Sequence, residues 1–393
     1  MTELKIFGEH DAHTKEQMAR CMQYGSVAGG VLCADGHLGY AQPVGGVIAY
    51  EEHVSVSGVG FDIGCGNMAV KLDVKKAAIA DRIGPILSDI AANVSFGLGR
   101  TNAEKVEHAL FDSPLWHENE ISGKLKQMAR DQLGTVGSGN HYVDLFEDED
   151  GFVWIGVHFG SRGLGHKTAT AFLKLAGGKD GIDVAPTILH QDGDLGRQYL
   201  AAMTLAGEYA YAGREWVIER VRRVTGGEVL DSVHNHHNYA WRERHGGRDL
   251  WVVRKGATPA FPGQRGFVGG SMGDDAVILR GVESETSAES PYSTVHGAGR
   301  VMSRTQARGR SVKDPQTGKR VRQGGRVRHD EMQAWLRDKG VHLVGGDLDE
   351  APQAYRRLPD VLAQHAGTVR IEHTLRPFAV VMAGADVFDP FKD

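Results

Sequence analysis

Apolar positions along the chain follow two spacings that change at glycine-rich breaks. Residues 14–24, 76–93 and 103–111 place apolar side chains three or four positions apart, which predicts helices. Short β-rich runs bounded by glycine predict strands. They are GGVIAY (45–50), HVSVSGVG (53–60), MAVKLDV (68–74), FVWIGVHFG (152–160), LWVVRKG (250–256), AVILRG (276–281) and RPFAVVMAG (376–384).

The longest helical pattern covers residues 193–224, and Gly207 and Gly213 are candidate break points within it. Strands and helices are mixed without a regular βαβ cadence, internal repeat or proline-rich linker. We therefore expect a mixed α/β (α+β) fold: one large domain over residues 1–393, of irregular topology and neither Rossmann nor P-loop. The turn-rich segment 309–326 predicts an exposed loop.

Composition narrows the class of protein. No apolar run is long enough to span a membrane, and the charged N-terminal segment lacks the apolar stretch of a signal peptide, so we expect a cytoplasmic protein. Three cysteines cannot build a disulfide framework, which makes a ligand or nucleophile role the more informative hypothesis for any one of them. The formal charge of −5 argues against a protein that coats nucleic acid all over.

Four glycine-flanked stretches carry candidate metal ligands. GVGFDIGCGN (58–67) holds Asp62 and Cys65 three residues apart, and a carboxylate with a thiolate suits Mn²⁺, Zn²⁺ or Fe²⁺. Further candidates are Asn140 and His141 in GTVGSGNHYVD (134–144), His158 in WIGVHFGSRGLGH (154–166), and His234, His236 and His237 in LDSVHNHHNYAW (230–241). Each alone is more often explained by a structural role, but together they predict a metal site.

Candidate phosphate-binding residues form a second group. GSRGLGHK (160–167) resembles an anion nest that includes Arg162, and GGSMG (269–273) is another glycine turn. In HGAGRVMSRTQAR (296–308), the arginines at 300, 304 and 308 recur every four residues and predict one helical face, with His296 near the helix N-terminus. The alternative is a solvated basic face. The positive charge continues through 309–326, which predicts a path for a nucleic-acid backbone.

Nine motifs occur in the order found in one known family: DGHLGYAQPVGGV, GFDIGCGN, GSGNH, HFGSRGLGH, VHN, RKGA, GSMG, HGAGRVMSR and EAPQAY. The chain thus resembles the RtcB-type RNA ligases over most of its length, as a divergent and shorter paralogue. The resemblance implies an α/β fold of the family's own type, two Mn²⁺ ions, GTP, and a histidine that becomes guanylylated.

The motifs carry family roles over to particular residues. The implied metal ligands are Asp62, Cys65, His141, His158 and His234, with Cys65 bridging the two ions and no role for His236 or His237. His296 is the implied acceptor of GMP, and Asp35 matches an acidic residue near the metals. The implied nucleotide-binding residues are Asn140, Arg162, Ser271, Gly297, Ala298, Gly299, Arg300 and Tyr355.

The implied reaction joins RNA 2′,3′-cyclic-phosphate or 3′-phosphate ends to 5′-hydroxyl ends, through histidine–GMP and RNA-3′-pp-5′-G intermediates, in RNA repair or tRNA splicing. The implied partners are such RNA ends and an activating protein such as archease. Met382 stands near the place of a family lysine that contacts guanine, Ala276 lies where a serine is common, and Tyr142 and Asp144 replace phenylalanine and glutamate.

These departures keep other functions open. One is a nucleotidyltransferase that caps 3′-phosphate ends of RNA or DNA without sealing them, or that prefers another nucleotide. A metal-dependent phosphodiesterase and a catalytically silent RNA-binding protein are further alternatives.

Overall fold

Strands and helices are interleaved along the chain in the computed structural model, which describes residues 4–313, 315, 318, 320–385 and 387. The helices of this part are α1 (Ala12–Cys21), α2 (Val56–Val59), α3 (Ile83–Asn93), α4 (Glu120–Gln132), α5 (Arg162–Leu175), α6 (Asp194–Thr225), α7 (Glu285–Glu289), α8 (Arg304–Arg308), α9 (His329–Lys339) and α10 (Leu358–Ala363). No described helix combines the length and apolar character needed to cross a membrane.

The strands of the same part are β1 (Leu4–Ile6), β2 (Val27–His37), β3 (Val44–Tyr50), β4 (His53–Ser55), β5 (Gly66–Lys75), β6 (Tyr142–Glu147), β7 (Phe152–Phe159), β8 (Ile188–His190), β9 (Val229–His236), β10 (Asn238–His245), β11 (Arg248–Lys255), β12 (Ala257–Pro259), β13 (Arg265–Val268), β14 (Ala276–Gly281), β15 (Ser293–Val295), β16 (Arg310–Lys313), β17 (Arg320–Gln323), β18 (His342–Gly346) and β19 (Val369–Gly384).

Two large sheets contain most of these strands, and β4-β8, β12-β15 and β16-β17 form two-stranded sheets. One large sheet runs β1-β2-β3-β11-β10, and the other runs β13-β14-β19-β6-β7-β5-β9, with β18 paired to β19. Pairing is antiparallel except between β1 and β2 and between β18 and β19. The prediction of a mixed α/β fold is confirmed, and the antiparallel pairing differs from the parallel sheet of a Rossmann fold.

Helix α6 packs across the eight-stranded sheet and is continuous over 32 residues, so the predicted break is wrong. Gly207 and Gly213 instead lie where other parts of the fold pack closely against the helix. A Cβ atom added to Gly207 would lie 2.8 Å from Tyr239 Cε2, and one added to Gly213 would lie 3.3 Å from Phe159 Cε2. Both residues allow the strands and their loops to approach the helix backbone closely.

Other segments also differ from the secondary structure predicted for them. Residues 103–111 form no α-helix, and only the 3₁₀ turn Ala109–Asp112 occurs there, because Val106 and Leu110 reach the core from an irregular segment. Residues 53–60 divide into β4 and α2, and the α-helix predicted from residue 76 begins at Ile83. The described part of 309–326 is an exposed hairpin of β16 and β17 rather than a loop.

Candidate metal and nucleotide site

The candidate metal ligands meet at one edge of the eight-stranded sheet. Cys65 directly precedes β5 and His141 directly precedes β6, whereas His158 is the last residue but one of β7 and His237 directly follows β9. Because β5 is antiparallel to both β7 and β9, and β6 is antiparallel to β7, these starts and ends coincide. Four distant segments of sequence therefore deliver side chains to one place.

The side chains form two overlapping clusters that share Cys65. Cys65, His158 and His237 make one, and Asp62, Cys65 and His141 make the other; in each, the donor atoms lie within 4.8 Å of one another. Cys65 Sγ lies 3.3 Å from His158 Nε2 and 3.8 Å from His141 Nε2. His141 Nε2 lies 3.1 Å from Asp62 Oδ2.

The surroundings of these residues suit metal binding. His158 Nδ1 donates a hydrogen bond to the carbonyl of Asn140 at 2.9 Å, which leaves Nε2, the atom nearer Cys65, with its lone pair. His237 Nδ1 is buried without a hydrogen-bond partner among the described residues, as expected of a ligand atom. Thiolate, carboxylate and imidazole donors together fit Mn²⁺, Zn²⁺ or Fe²⁺.

Burial sets the charge state of the ligands. It raises the pKa of the Cys65 thiol well above its usual range, and it lowers the pKa of His158 to about 3. Burial also acts to raise the pKa of Asp62, but the contact with His141 outweighs it and the value falls to about 2. The carboxylate and neutral imidazoles are therefore ready to bind a cation, whereas ionisation of the thiol requires positive charge nearby.

His234 does not lie in either cluster, which corrects its assignment as a metal ligand. It sits inside β9 opposite Met68, and its Nε2 accepts a hydrogen bond from Arg214 Nε at 2.8 Å. An arginine only donates, so the lone pair that a metal would need is already used. His237, one residue beyond the strand, occupies the position that was assigned to His234, and His236 also faces Arg214.

His296 lies beside the cluster of Cys65, His158 and His237, with its ring centroid 5.0 Å from that of His237. Its Nδ1 is 2.6 Å from Oδ2 of Asp35, a carboxylate with no solvent exposure. The same oxygen accepts the backbone N–H of His296 at 2.9 Å and of Gly297 at 3.3 Å. Burial acts to raise the pKa of Asp35, but the His296 contacts outweigh it and the pKa is lowered, so Asp35 is an ionised acceptor. This geometry leaves Nε2 of His296 as the atom free to react.

A cavity of about 290 Å³ joins His296 to the metal clusters. Met272, Met382 and Val380 contribute apolar surface to it, while Asp144, Glu350 and Arg304 contribute charged groups. Its size suits a nucleotide-sized molecule in part-enclosed contact.

Comparisons with known proteins agree with this geometry. Residues 17–121 and 114–383 match the family model described as tRNA-splicing ligase RtcB. The RNA-splicing ligase RtcB of Escherichia coli K12 is 31% identical over 380 residues, which cover 88% of each protein. The tRNA-splicing ligase RtcB of Thermococcus kodakarensis is 30% identical over 434 residues, covering 89% of this chain and 86% of that protein. This chain belongs to the RtcB family.

Most of the nucleotide-binding residues implied by the RtcB motifs line the cavity. They are Asn140, Ser271, Gly297, Ala298, Gly299, Arg300 and Tyr355. Arg162 lies behind the metal cluster instead, with Nη1 3.4 Å from His141 Nδ1 and Nη2 donating to the carbonyl of Gly97. Of the two departures at positions where the family contacts guanine, Met382 lines the cavity, whereas Ala276 is buried in the cluster that contains Phe146.

The arginines at 300, 304 and 308 do not all lie on one helix, because Arg300 is outside α8, so that prediction is wrong. Helix α8 begins only at Arg304, where Ser303 forms a capping box, and Arg300 pairs with Tyr355 in a β-bridge. His296 instead follows β15. The three arginines still converge, because each contacts an acidic group of the segment 347–350. The pairs are Arg300 with Glu350, Arg304 with Asp349 and Glu350, and Arg308 with Asp347 and Asp349.

The cavity lining includes three residues to which the family motifs assign no role: His237, His37 and Lys255. His37 Nδ1 donates to the carbonyl of Asp35 at 2.9 Å, and Lys255 Nζ donates to the carbonyls of Tyr40 at 2.6 Å and Gln42 at 3.0 Å. The detectable clue was their position in the motifs DGH and RKGA. For His237 the clue is a second His-Asn step, because His-Asn occurs at both 234–235 and 237–238, although VHN matches only 233–235.

Proposed function

We propose that this chain is an RNA ligase, dependent on Mn²⁺ and GTP, that joins 2′,3′-cyclic-phosphate or 3′-phosphate ends of RNA to 5′-hydroxyl ends. The observation that carries the proposal is His296, held by buried Asp35 and placed against the thiol, carboxylate and imidazole groups of the two clusters. The relatives' names, RNA-splicing ligase and tRNA-splicing ligase, support the same activity.

His296 supplies the nucleophile of the proposed first step. The proton on Nδ1 is held by Asp35, so the lone pair of Nε2 attacks the α-phosphorus of GTP. A phosphorus–nitrogen bond forms, the bond to the bridging oxygen breaks, and pyrophosphate leaves. The ring gains positive charge during attack, and the ionised Asp35 stabilises it.

The metal ligands are proposed as two triads that share Cys65. Cys65, His158 and His237 would hold one Mn²⁺, and Asp62, Cys65 and His141 would hold the other. When bound, the ions would offset phosphate charge at the reacting centre. Arg162, 3.4 Å from the second triad at His141, adds a fixed cation behind it.

The RNA steps follow as phosphoryl transfers. A cyclic phosphate is hydrolysed to a 3′-phosphate, whose oxygen attacks the phosphorus on His296 and releases the imidazole, giving RNA-3′-pp-5′-G. The 5′-hydroxyl oxygen then attacks the RNA phosphorus and GMP leaves. We propose the exposed basic hairpin of β16 and β17 as a contact for the RNA backbone. An archease-type activator remains a prediction.

The test is covalent labelling with GTP or ATP carrying a labelled α-phosphate, in the presence of Mn²⁺. We expect acid-labile label on the wild type and none on His296→Ala. His190→Ala is the matched control, because that histidine is 46% exposed and lies outside the cavity. Equal labelling of His296→Ala and wild type would eliminate the histidine intermediate.

Met382 favours a second candidate, nucleotide transfer to a 3′-phosphate end without sealing or with another base. Its thioether and the side chain of Val380 make one cavity wall apolar, so that wall offers no cation to a guanine oxygen. Incubation with cyclic-phosphate and 5′-hydroxyl RNA ends separates the candidates. A joined strand identifies sealing, and a capped end that accumulates without joining identifies the second candidate.

A further inference from the structure

Arg214 lies at the centre of α6 and has no solvent exposure. Its guanidinium sits behind the metal clusters, on the helix side of the sheet edge. Among the described residues it forms no ion pair with a carboxylate, although a buried charge ordinarily requires a compensating partner. Its partners are instead the polypeptide segments that carry the candidate ligands.

Two of these partners are backbone carbonyls next to candidate ligands. Nη1 donates to the carbonyl of Gly64 at 2.9 Å and to that of Phe159 at 2.6 Å. Gly64 directly precedes Cys65, and Phe159 directly follows His158. One nitrogen atom thus ties the turn that carries the thiol to the end of the strand that carries an imidazole of the same triad.

The remaining partners are the two histidines that do not join the clusters. Nε donates to His234 Nε2 at 2.8 Å, and Nη2 lies 2.9 Å from His236 Nδ1. His234 and His236 belong to β9, and the next residue is His237. The guanidinium therefore connects the three segments that carry Cys65, His158 and His237.

We propose that Arg214 is a positioning residue that holds these three segments in register for metal binding and places a fixed positive charge behind the Cys65 sulfur. The inference rests on the proposed function, because it concerns the same metal site. It also explains the two histidines that precede His237, because His234 accepts a hydrogen bond from Arg214 and His236 Nδ1 contacts both Arg214 Nη2 and the carbonyl of Gly64. A positioning residue of this kind typically changes metal affinity by about 10- to 100-fold.

Co²⁺ binding to the apo full-length protein tests the proposal without GTP or RNA. The near-ultraviolet charge-transfer band between thiolate and Co²⁺ reports ligation by Cys65. We expect Arg214→Met to weaken Co²⁺ binding by about 10- to 100-fold and to reduce the band at saturation. Arg223→Met is the matched control, because it removes an arginine from the same helix at a 63% exposed position, and we expect wild-type binding from it.

Arg214→Lys provides a second variant for the same measurement if Arg214→Met does not fold. Lysine keeps the charge, but a single ammonium cannot reach both carbonyls and both histidines, so we again expect weaker binding and a reduced band. Circular dichroism of the apo variants establishes that the fold is retained.

Two comparison variants calibrate the result. His237→Gln should lose Co²⁺ affinity as a ligand variant, whereas His234→Gln, which retains an acceptor for Arg214, should bind as the wild type does. Wild-type Co²⁺ affinity and band in a folded Arg214→Met or Arg214→Lys protein would overturn the positioning role while leaving the proposed function intact. A wild-type protein that binds no Co²⁺ would instead overturn the metal site, and with it both proposals.

Discussion

Replacement of Asp35 by asparagine isolates the charge that faces His296. Asparagine has nearly the same shape, and its carbonyl oxygen can still accept the backbone N–H groups of His296 and Gly297. What the variant removes is a buried negative charge 2.6 Å from Nδ1. Its effect should therefore fall on the step in which the imidazole gains positive charge.

The magnitude follows from the geometry. With the carboxylate and ring centres about 4 Å apart and an effective dielectric constant of about 20, the attraction is about 4 kcal/mol. Because each 1.36 kcal/mol changes a rate about tenfold, Asp35→Asn should slow covalent labelling by about 10³-fold. Co²⁺ affinity should stay near that of the wild type, since Asp35 belongs to neither metal cluster.

Single-turnover labelling with α-labelled GTP and Mn²⁺ measures the rate of this step directly. His296→Ala sets the background, and the Co²⁺ titration shows that the metal site is intact. A labelling rate within tenfold of the wild type would refute the reasoning, because the charge would then contribute less than about 1.4 kcal/mol.

Three further predictions follow from other parts of the molecule. Replacing both Arg320 and Arg322 of the hairpin with glutamine should weaken RNA binding and reduce the slope of log affinity against log salt by about 1.4, and an unchanged slope in a filter-binding titration would contradict this. Mn²⁺ at about 100 times its dissociation constant should stabilise the wild type by about 2.7 kcal/mol, and it should not stabilise Cys65→Ser. Thermal unfolding measures both, and equal increases in melting temperature would show that Cys65 is not a ligand. Gly207→Ala should lower the free energy of unfolding in urea despite alanine's helix propensity, because the new Cβ would lie 2.8 Å from Tyr239. Gly84→Ala has open space around it and should raise the free energy of unfolding by up to about 1 kcal/mol. Stabilisation of both variants would contradict the packing account.

Local patterns predicted the strands better than the helices. Runs such as 152–160 and 276–281 correspond to β7 and β14, because glycine boundaries and β-branched residues act locally. The segment 103–111 has helical spacing, yet its apolar residues reach the core without a helix. The glycines of α6 mark close contacts with distant residues, and the spacing of residues along the helix carries no information about those contacts.

The sequence predicted the residue types of the metal site and most of its ligands, but it assigned one ligand to the wrong histidine. Asp62, Cys65, His141 and His158 do come together, since each stands where a glycine turn meets a strand of one sheet. His-Asn occurs at both 234–235 and 237–238, and the two histidines differ in that β9 ends between them. Alternation along the strand places His234 and His236 on the side facing Arg214, and only the residue after the strand turns toward Cys65.

The distribution of positive charge shows why spacing alone misplaced the phosphate-binding arginines. Arg300, Arg304 and Arg308 recur every four residues, but acidic groups of 347–350 pair with them, so their charge is largely balanced. In contrast, Arg320 and Arg322 are exposed and form no ion pair with any described residue. Of these five arginines, the two on the hairpin therefore keep charge that is available to attract an RNA backbone, whereas Arg300 holds the wall of the cavity at Tyr355.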